Sequence, residues 1–220
     1  MALADVLIWL DDAQFSKGSF TTRVQVKTAG GIKWMSIPLA GKGSFQKIGA
    51  LAPAIADWHK PHRSLLEQAL RGQPCSRDAM QVFDSVPRTG SLIQSLIASA
   101  EASAVALDIL PSQRLLASEM GLEGSSWERV LRLVQAVGGT DYVTGHGALT
   151  YLDHAAFEAA GISVSYMQYD PLPWPQLHGP FTPYVTNLDL LAAVPFHVAV
   201  THLRPQTLDW RSHAARKADG

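Results

Sequence analysis

The run of residues 125–168 constrains the fold more than any other part of the sequence, because its apolar pattern alternates between helical and extended spacing. Ser125 followed three residues later by Glu128 predicts a capping box, and an apolar stripe at helical spacing continues to Gly138. DYVTG then predicts a short strand, YLDHAAFEAA a helix that ends at Gly161, and ISVSYMQY a second strand. Two strands joined through a helix predict a parallel β-α-β crossover.

The N-terminal part predicts a strand followed by a hairpin. VLIWL, at residues 6–10, is short and apolar, which is typical of a strand buried on both faces. In the next predicted strand Arg23, Gln25 and Lys27 fall on one side, and Gly30-Gly31 turns the chain into a third strand, IKWMSIPL. The polar side has two interpretations, a solvated sheet surface or a phosphate-facing one.

The middle third is predicted to be helical. SLLEQALRG, MQVFDSV and SLIQSLIASAEASAVAL indicate helices, and residues 40–64 indicate loop mixed with short helix. PLPWPQLHGPFTPYV is extended and proline-rich, and NLDLLAAV predicts a last helix capped by Asn187. We therefore expect an α/β fold with a Rossmann-like, mostly parallel sheet, flanking helices, an antiparallel hairpin near the N-terminus and a helical middle segment.

Domain organisation follows from length and composition. We expect one α/β domain over residues 1–205, because a chain of 220 residues can bury one substantial core. Residues 206–220 are predicted to be a polar C-terminal tail, of which RSHAARKADG is predicted to be disordered.

Charge and cysteine content limit the environment and the partners. The net charge of −1 gives no global attraction to nucleic acid or anionic lipid, but residues 1–65 carry eight Lys or Arg against four Asp or Glu. Cys75 is the one cysteine and cannot form an internal disulfide, which fits a reducing cytoplasm. The start lacks a basic leader region, and no apolar run approaches ~20 residues, so we expect a cytoplasmic protein without a membrane partner.

The first candidate site follows VLIWL. Asp11 and Asp12 adjoin an apolar strand, where two ionised carboxylates are costly unless something pairs with them. The pairing groups are either Lys17 and Arg23 in a structural network, or a bound ammonium group or metal. Ligands of open α/β sheets bind beyond the carboxyl ends of the strands, which is where this segment begins.

The second candidate site follows DYVTG. Gly145 and Gly147 let the backbone approach a ligand, and the helix after them points its N–H groups at any anion held there. The alternative is a purely structural role, in which the turn contains glycine for conformational reasons only. Asp153 has a similar alternative as the capping partner of Thr150.

Several catalytic signatures are absent from the sequence. There is no G-x-S-x-G elbow, no P-loop and no G-x-G-x-x-G pattern. His59 and His62 straddle Pro61, which spoils a helical zinc pair, and no cysteine pair accompanies them. Magnesium at Asp11 and Asp12 would need further oxygen ligands that no obvious pattern supplies. We therefore expect neither a metal nor another cofactor.

Three blocks of the sequence resemble the WbqC-like protein family. They are DVLIWLDDAQFSKGSFTTRVQVKTAGGIKWMSIPL, DYVTGHGALTYLDHAAFEAAGISVSYMQY and PWPQLHGPFTPYVTNLDLL, in the family's order, with the helical middle unmatched. The most specific part is D-D-x-Q-F-x-K followed by R-x-x-x-K and W-x-x-x-P. Members usually begin with a strand and a His-Gln-Pro-x-x-x-x-Pro-Trp segment before the Asp-Asp block. We expect either that the gene encodes this segment upstream of Met1 or that this branch works without it, and no role of that segment is carried over.

The resemblance implies a Rossmann-like fold and a transferase. WbqC-like proteins occur in O-antigen gene clusters, where a part in modifying amino sugars is inferred, and similar phage amino acid:DNA transferases join glycine to a phosphorylated 5-hydroxymethyluracil. Our leading expectation is transfer of an amino acid, such as glycine, to a phosphate-activated acceptor, 5-phosphomethyl-deoxyuridine in phage DNA, in the host cytoplasm. One alternative is an O-antigen enzyme that modifies a nucleotide-linked amino sugar, and another is a non-catalytic binding module.

The transferase interpretation assigns roles to residues of both candidate sites. Asp11 or Asp12 holds the ammonium group and accepts a proton, and Lys17 and Arg23 stabilise the departing phosphate. DNA would lie along the basic N-terminal third and would bind in a salt-sensitive manner. The remaining substrate contacts are assigned to Gln14, Lys27, Gly145, His146, Gly147, Tyr151 and Asp153.

Overall fold

Short strands and helices build an α/β protein, which confirms the predicted fold class. The computed structural model describes residues 1–41 and 45–218. The strands are β1 Val6–Trp9, β2 Arg23–Thr28, β3 Gly31–Ser36, β4 Gln113–Leu116, β5 Asp141–Thr144, β6 Ser163–Gln168 and β7 Gln206–Asp209. The α-helices are α1 His59–Ala69, α2 Ser76–Asp84, α3 Leu92–Ala106, α4 Ser126–Ala136, α5 His154–Ala159, α6 Leu188–Ala193, α7 Phe196–Ala199 and α8 Trp210–Ala218.

The described chain forms two compact units that interleave along the sequence. Unit A consists of Met1–Leu10, Pro111–Asp170 and the segment from Arg204 onward. Unit B consists of Asp11–Leu110 and Pro171–Leu203. Each unit is therefore assembled from segments that are distant in sequence.

The predicted β-α-β crossover is present in unit A. β5 pairs with β6 in parallel, from Asp141 opposite Ser163 to Thr144 opposite Tyr166, and α5 connects the two strands. β7 adds to the other edge of β6 in antiparallel orientation. Phe157 of α5 and Tyr166 of β6 are fully buried and form the centre of this unit's core.

The start of α4 differs from the predicted capping box. The helix begins at Ser126, but the Ser125 side chain makes no capping hydrogen bond. Ser126 has a φ of 51°, outside the helical region, so the first turn lacks the geometry in which a Ser125–Glu128 capping box forms.

The strand β1 is only half-buried, whereas its apolar sequence predicts burial on both faces. β1 pairs in parallel with β4 through one edge. A cavity of about 520 Å³ lies beside it and is lined by β1 together with residues of α4 and β5. This open space, rather than a second strand, leaves Val6, Leu7 and Ile8 partly exposed.

The C-terminal segment is ordered where its composition predicts a polar tail. Residues 206–218 form β7 and α8, and residues 219 and 220 lie outside the described residues. Trp210 donates from Nε1 to Glu158 Oε1 at 3.0 Å, and Arg211 forms an ion pair with the same carboxylate. The His213 ring stacks on Tyr166 with a centroid distance of 4.3 Å. These side-chain contacts hold a segment whose polar composition alone gives no reason for order.

Unit B contains the predicted hairpin and the predicted middle helices. β2 and β3 pair in antiparallel orientation with Arg23 opposite Ser36, Gln25 opposite Trp34 and Lys27 opposite Ile32, so these six side chains lie on one face. α1, α2 and α3 confirm the three predicted helices. Of the predicted loop segment 40–64, residues 42–44 lie outside the described residues, and the rest contains the 3₁₀ helix Ile48–Ala50.

The helix α6 confirms the prediction over NLDLLAAV but not its cap or its place as the last helix. Asn187 occupies the N-cap position without a side-chain cap bond. The Leu188 N–H instead donates to Thr186 Oγ1 at 3.4 Å. α7 and α8 follow it along the chain.

Candidate functional site

The Asp11–Phe15 segment of unit B is held by backbone hydrogen bonds to residues 46–49. The Phe15 N–H donates to the Gln46 carbonyl at 2.7 Å, and the Gly49 N–H donates to the Asp11 carbonyl at 2.5 Å. Phe15 is buried against Leu51 and Leu92 in a small apolar cluster. The two carboxylates at the start of the segment therefore have a defined backbone position.

The two adjacent aspartates differ in exposure. Asp11 is 9% exposed, while Asp12 is only half-buried. Gly49 packs closely on Asp11, since a Cβ atom at Gly49 would lie 3.1 Å from the Asp11 carbonyl oxygen and 3.9 Å from its Oδ2. Asp12 is thus the more accessible carboxylate for a ligand, and Asp11 is packed into the protein.

Gly49→Ala is expected to disturb this segment without changing any charge. The added Cβ would meet backbone at a distance that few real contacts reach, so the Asp11 backbone must shift. We expect the free energy of unfolding to fall by about 1 kcal/mol or more. Urea unfolding measures the loss, and Gly30→Ala is a matched control because its Cβ would have nothing closer than 3.8 Å. Equal stability of the two variants would contradict the close packing on Asp11.

Arg23 is the one arginine among the predicted site residues, and two contacts fix its guanidinium. Its Nη2 donates to the Gly18 carbonyl, and its Cζ lies 4.2 Å from the centre of the Trp34 ring. Its Nε is buried and has no hydrogen-bond partner among residues 1–41 and 45–218. A buried N–H without a partner is costly, so the described fold leaves the hydrogen bonding of the Arg23 guanidinium incomplete.

A cavity of about 250 Å³ in unit B adjoins Arg23. Its lining residues include the cations Arg23 and Arg88 and the half-buried ring of Trp58, and no Asp or Glu is among them. Most other lining side chains are apolar or carry hydroxyl groups: Phe20, Thr21, Thr22, Val24, Met35, Ile37, Val82, Phe83, Val86, Ser95, Leu96, Ser99, Ala100, Ser103 and Leu188. Such a cavity is suited to an anionic group attached to a small apolar or aromatic body.

The guanidinium of the second cation, Arg88, forms hydrogen bonds within the protein. Its guanidinium donates to the carbonyls of Phe83 and Val86 at the end of α2 and lies over the Phe83 ring. Burial lowers the pKa of Arg88 from its ordinary value. Arg88 therefore contributes positive potential to the cavity, whereas the unpaired donor belongs to Arg23.

His62 of α1 lies in the cavity wall and is buried. Its Nε2 is 2.9 Å from the Ser36 carbonyl oxygen, so Nε2 carries a hydrogen and donates it. Burial is the main cause that lowers the pKa of His62 below 6.5, and nearby Arg88 and His59 lower it further. His62 is therefore neutral at pH 7.

The lowered pKa of His62 predicts acid sensitivity of unit B. Below pH ~6.5 the imidazole of the unfolded chain binds a proton more readily than the buried imidazole of the folded protein. The free energy of unfolding therefore decreases as the pH is lowered through this range. We expect the urea midpoint to drop between pH ~7 and pH ~5, and to drop less in His62→Gln. Some slope remains in the variant, because burial also lowers the pKa of His154 in unit A. An identical drop in both proteins would contradict the assignment.

Most of the cavity-lining residues were not predicted, although the sequence contains one signal for them. Ser95, Ser99 and Ser103 recur every fourth residue of α3, which places three hydroxyl groups on one helix face, and all three line the cavity. Ser95 Oγ donates to the Pro87 carbonyl at 2.7 Å. Arg88 and His62 carry no comparable pattern, since they reach the cavity only through the packing of α1, α2 and α3.

Of the other predicted residues in unit B, Lys27 has a structural environment. It is 5% exposed, and its Nζ donates to Gln176 Oε1 at 3.0 Å, to the Gly179 carbonyl at 3.0 Å and to the Pro180 carbonyl at 2.6 Å. These three acceptors match the three hydrogens of the ammonium group. By contrast, Lys17 and Gln14 lie on the surface.

Lys27→Met is expected to destabilise unit B by about 2 kcal/mol, because the buried acceptors of residues 176–180 lose their donor. The exposed Lys33→Met on the neighbouring strand is the control and should change stability by less than about 0.5 kcal/mol. Urea unfolding followed by Trp fluorescence measures both. A stable Lys27→Met variant with weakened ligand binding would instead support the predicted substrate contact.

The second predicted site lies in unit A. Residues His146–Thr150 form a 3₁₀ helix after β5, and His146 Nε2 lies 2.6 Å from the Met167 carbonyl oxygen. Asp153 is the N-cap of α5 and accepts from the Ala156 N–H at 3.0 Å, so it caps a helix itself rather than as the partner of Thr150, whose Oγ1 donates to the Gly147 carbonyl at 3.0 Å. Tyr151 is exposed, and partial burial of its hydroxyl raises its pKa. The substrate contacts assigned to Gly145–Gly147, Tyr151 and Asp153 stay predictions.

A buried histidine–tyrosine cluster in unit A was not predicted. Burial raises the pKa of Tyr166 to about 12, so its hydroxyl keeps its proton, and it shares a hydrogen bond of 2.8 Å with His154 Nε2. His213 stacks on the other side of the tyrosine, and the His146 ring lies 4.7 Å from His213. His213 is about 60 residues from the other two histidines in sequence, and His146 and His154 lie on different elements, so periodicity gives no sign of the cluster.

Two absences concern residues 1–41 and 45–218, the part of the chain that the structure describes. No group of three or more His, Cys, Asp or Glu side chains in this part of the chain is placed to hold a metal ion. No helix in the same ranges is long and apolar enough to cross a membrane.

Comparison with known proteins places the chain in a family. The model of the WbqC-like protein family matches residues 1–198, including the helical middle that the sequence motifs left unmatched. The chain belongs to the WbqC-like family. This WbqC-like protein is 31% identical to the uncharacterized protein Rv1507c of Mycobacterium tuberculosis (strain ATCC 25618 / H37Rv) over 199 residues, which cover 87% of the chain and 84% of the relative. No solved structure matches it significantly.

Proposed function

We propose that this WbqC-like protein joins an amino acid, glycine in the first instance, through its amino group to a carbon activated by phosphate. The acceptor we favour is 5-phosphomethyl-deoxyuridine in DNA, a reaction that takes place in the cytoplasm. The observation that carries the proposal is the cavity of unit B, whose described lining residues include the guanidinium groups of Arg23 and Arg88 and no carboxylate.

The cavity fits the acceptor rather than the amino acid. A phosphorylated pyrimidine has a negative head and a flat body, and the cavity has a cationic edge and the aromatic rings of Phe20 and Trp58. A volume of about 250 Å³ is enough for the reacting part of such a molecule but not for a base pair within duplex DNA. The acceptor base would therefore enter alone.

The carboxylate that receives the amine is Asp12 in this proposal. Asp12 is half-buried and accessible, and the segment that carries it is anchored through Phe15. Phe15 packs in the same apolar cluster as Ile37, Trp58 and Leu96, which line the cavity. The carboxylate segment and the cavity wall therefore share one packed cluster.

The reaction balances without a further reagent. Asp12 takes a proton from the ammonium group, the free amine attacks the methylene carbon, and a C–N bond forms as the C–O bond to phosphate breaks. The phosphate leaves with the electron pair of that bond, and Arg23 stabilises its charge by hydrogen bonding. The proton released from the ammonium ends on the phosphate, so the products are a secondary ammonium and hydrogen phosphate.

Mass spectrometry of nucleosides tests the function. The protein is incubated with glycine and an oligonucleotide that contains 5-phosphomethyl-deoxyuridine, and we expect a product in which glycine replaces the phosphate. Release of inorganic phosphate in equal amount is the second readout. The same incubation with a nucleotide-linked amino sugar tests the O-antigen alternative.

The outcomes separate the alternatives. Product from the amino sugar only would overturn the DNA acceptor in favour of the alternative enzyme. Tight binding of the phosphorylated oligonucleotide without any product, over a range of amino acids, would indicate a binding module and overturn the transferase.

A further inference from the structure

The hairpin β2–β3 exposes two aromatic rings beside the cavity of unit B. Phe20, which lines the cavity, is 76% exposed, and Trp34 of β3 is 44% exposed. Their ring centroids are 5.9 Å apart with planes tilted by 44°. Ile32, 46% exposed, lies on the same face of the hairpin as Trp34. We call Phe20, Ile32 and Trp34 the hairpin platform.

Clustered exposed apolar side chains on a globular protein usually mark a binding surface. Single exposed aromatic residues need no explanation, but here two rings are in contact and a guanidinium lies on one of them, 4.2 Å from its centre. The side chains of the platform therefore contact one another and form a continuous surface, unlike isolated exposed residues.

The stretch of sequence that carries the platform has charges of one sign. Residues 13–56 contain no Asp or Glu, while the same stretch contains Lys17, Arg23, Lys27, Lys33, Lys42 and Lys47. Lys17 and Lys33 are exposed. An apolar protein partner gains nothing from this charge, whereas a polyanion with flat rings gains from both the cations and the aromatic surface.

We propose that the hairpin platform stacks a nucleobase next to the acceptor, so that the acceptor is bound as part of a single-stranded polynucleotide and not as a free nucleotide. This inference rests on the proposed function. The base stacks on the outer face of the platform, because insertion between two rings needs about twice the ~3.4 Å base spacing, more than the tilted pair provides. Lys17 contacts a backbone phosphate beside the stacked base, whereas Lys33 alternates with Ile32 and Trp34 along β3 and lies on the other face of the hairpin.

Binding to unmodified DNA tests the platform independently of any transfer. Fluorescence anisotropy measures the Kd of a labelled oligo(dT) of about twelve nucleotides and of an abasic strand of equal length. We expect Trp34→Ala and Phe20→Ala each to weaken oligo(dT) binding by about 10-fold and to leave abasic binding nearly unchanged. Tyr184→Ala is the matched control, since Tyr184 is 72% exposed in the same unit but not on the hairpin. Equal binding of abasic and base-containing strands would overturn the proposal.

The kinetics of transfer distinguish failure of the platform from failure of the function. In Trp34→Ala, kcat/KM for the modified oligonucleotide should fall about 10-fold further than kcat/KM for the free modified nucleotide, mainly through KM. Equal falls for both substrates would overturn the platform and leave the transferase intact. If neither substrate reacts, the transferase fails, and the anisotropy comparison still decides the platform.

Discussion

Arg23→Gln is expected to lower kcat for amine transfer by about 100- to 1,000-fold, the usual cost of removing one group that stabilises charge in the transition state. Arg23 lines a cavity whose described lining contains no carboxylate, and the phosphate that leaves the acceptor is the anion that its guanidinium would bind. Glutamine keeps a similar length and one amide but loses the charge and the forked geometry. The loss should therefore appear in kcat more than in KM.

Arg71→Gln is the matched control, because Arg71 is exposed in the same unit and does not line the cavity. Arg23→Lys should recover only part of the rate, since an ammonium lacks the planar fork that binds phosphate in two places. Thermal unfolding must accompany the kinetics, because Arg23 also donates to Gly18 and lies over Trp34. A normally folded Arg23→Gln variant that retains the rate would remove Arg23 from the mechanism.

Asp12→Asn is expected to lower transfer by at least ~100-fold, because an amide neither holds an ammonium nor accepts its proton. The rate of the variant should rise steeply with pH as glycine loses its proton in solution, whereas the wild type should respond less. Asp11→Asn should act mainly on stability, since Asp11 is buried and packed by Gly49. Single-turnover rates across a pH series measure the first effect, and urea unfolding measures the second.

A pH profile of Asp12→Asn that parallels the wild type would mean that another group removes the proton. If instead Asp11→Asn shows the steep profile and Asp12→Asn does not, the two carboxylates exchange roles and the chemistry stands. The O-antigen alternative predicts the same dependence on Asp12 with a different acceptor, so the substrate comparison and not this variant separates the two enzymes.

Local elements of the fold were predictable because they depend on short-range periodicity. The β-α-β run of unit A and the hairpin of unit B are both present near the predicted residues. The strand β4 was not predicted, since QRLL has neither alternation nor β-branched residues, and its conformation depends on pairing with β1. The order of residues 206–218 was missed for a related reason, as Trp210 and His213 find their partners on α5 and β6.

The candidate site was predicted in part. Arg23 lines the cavity as its assigned role requires, while Lys27, on the same face of the same strand, is buried under residues 176–180. No local sequence pattern distinguishes these two cations. The loop that buries Lys27 is distant in sequence, since Lys27 and its hydrogen-bond partner Gln176 are 149 residues apart. Arg88 and His62 were missed because their positions depend on how three helices pack.

By itself the sequence determined the α/β class, the family, the hairpin that carries Arg23 and the uneven charge of the N-terminal third. Those properties depend on residue type and near neighbours, which the order of residues specifies directly. Only the tertiary structure decided that the chain interleaves into two units, that Asp12 is more accessible than Asp11, and that Arg23 adjoins a cavity without carboxylates. Burial and the supply of hydrogen-bond partners come from segments that are distant in sequence, and these contacts distinguish a charge bound within the protein from one that can serve a ligand.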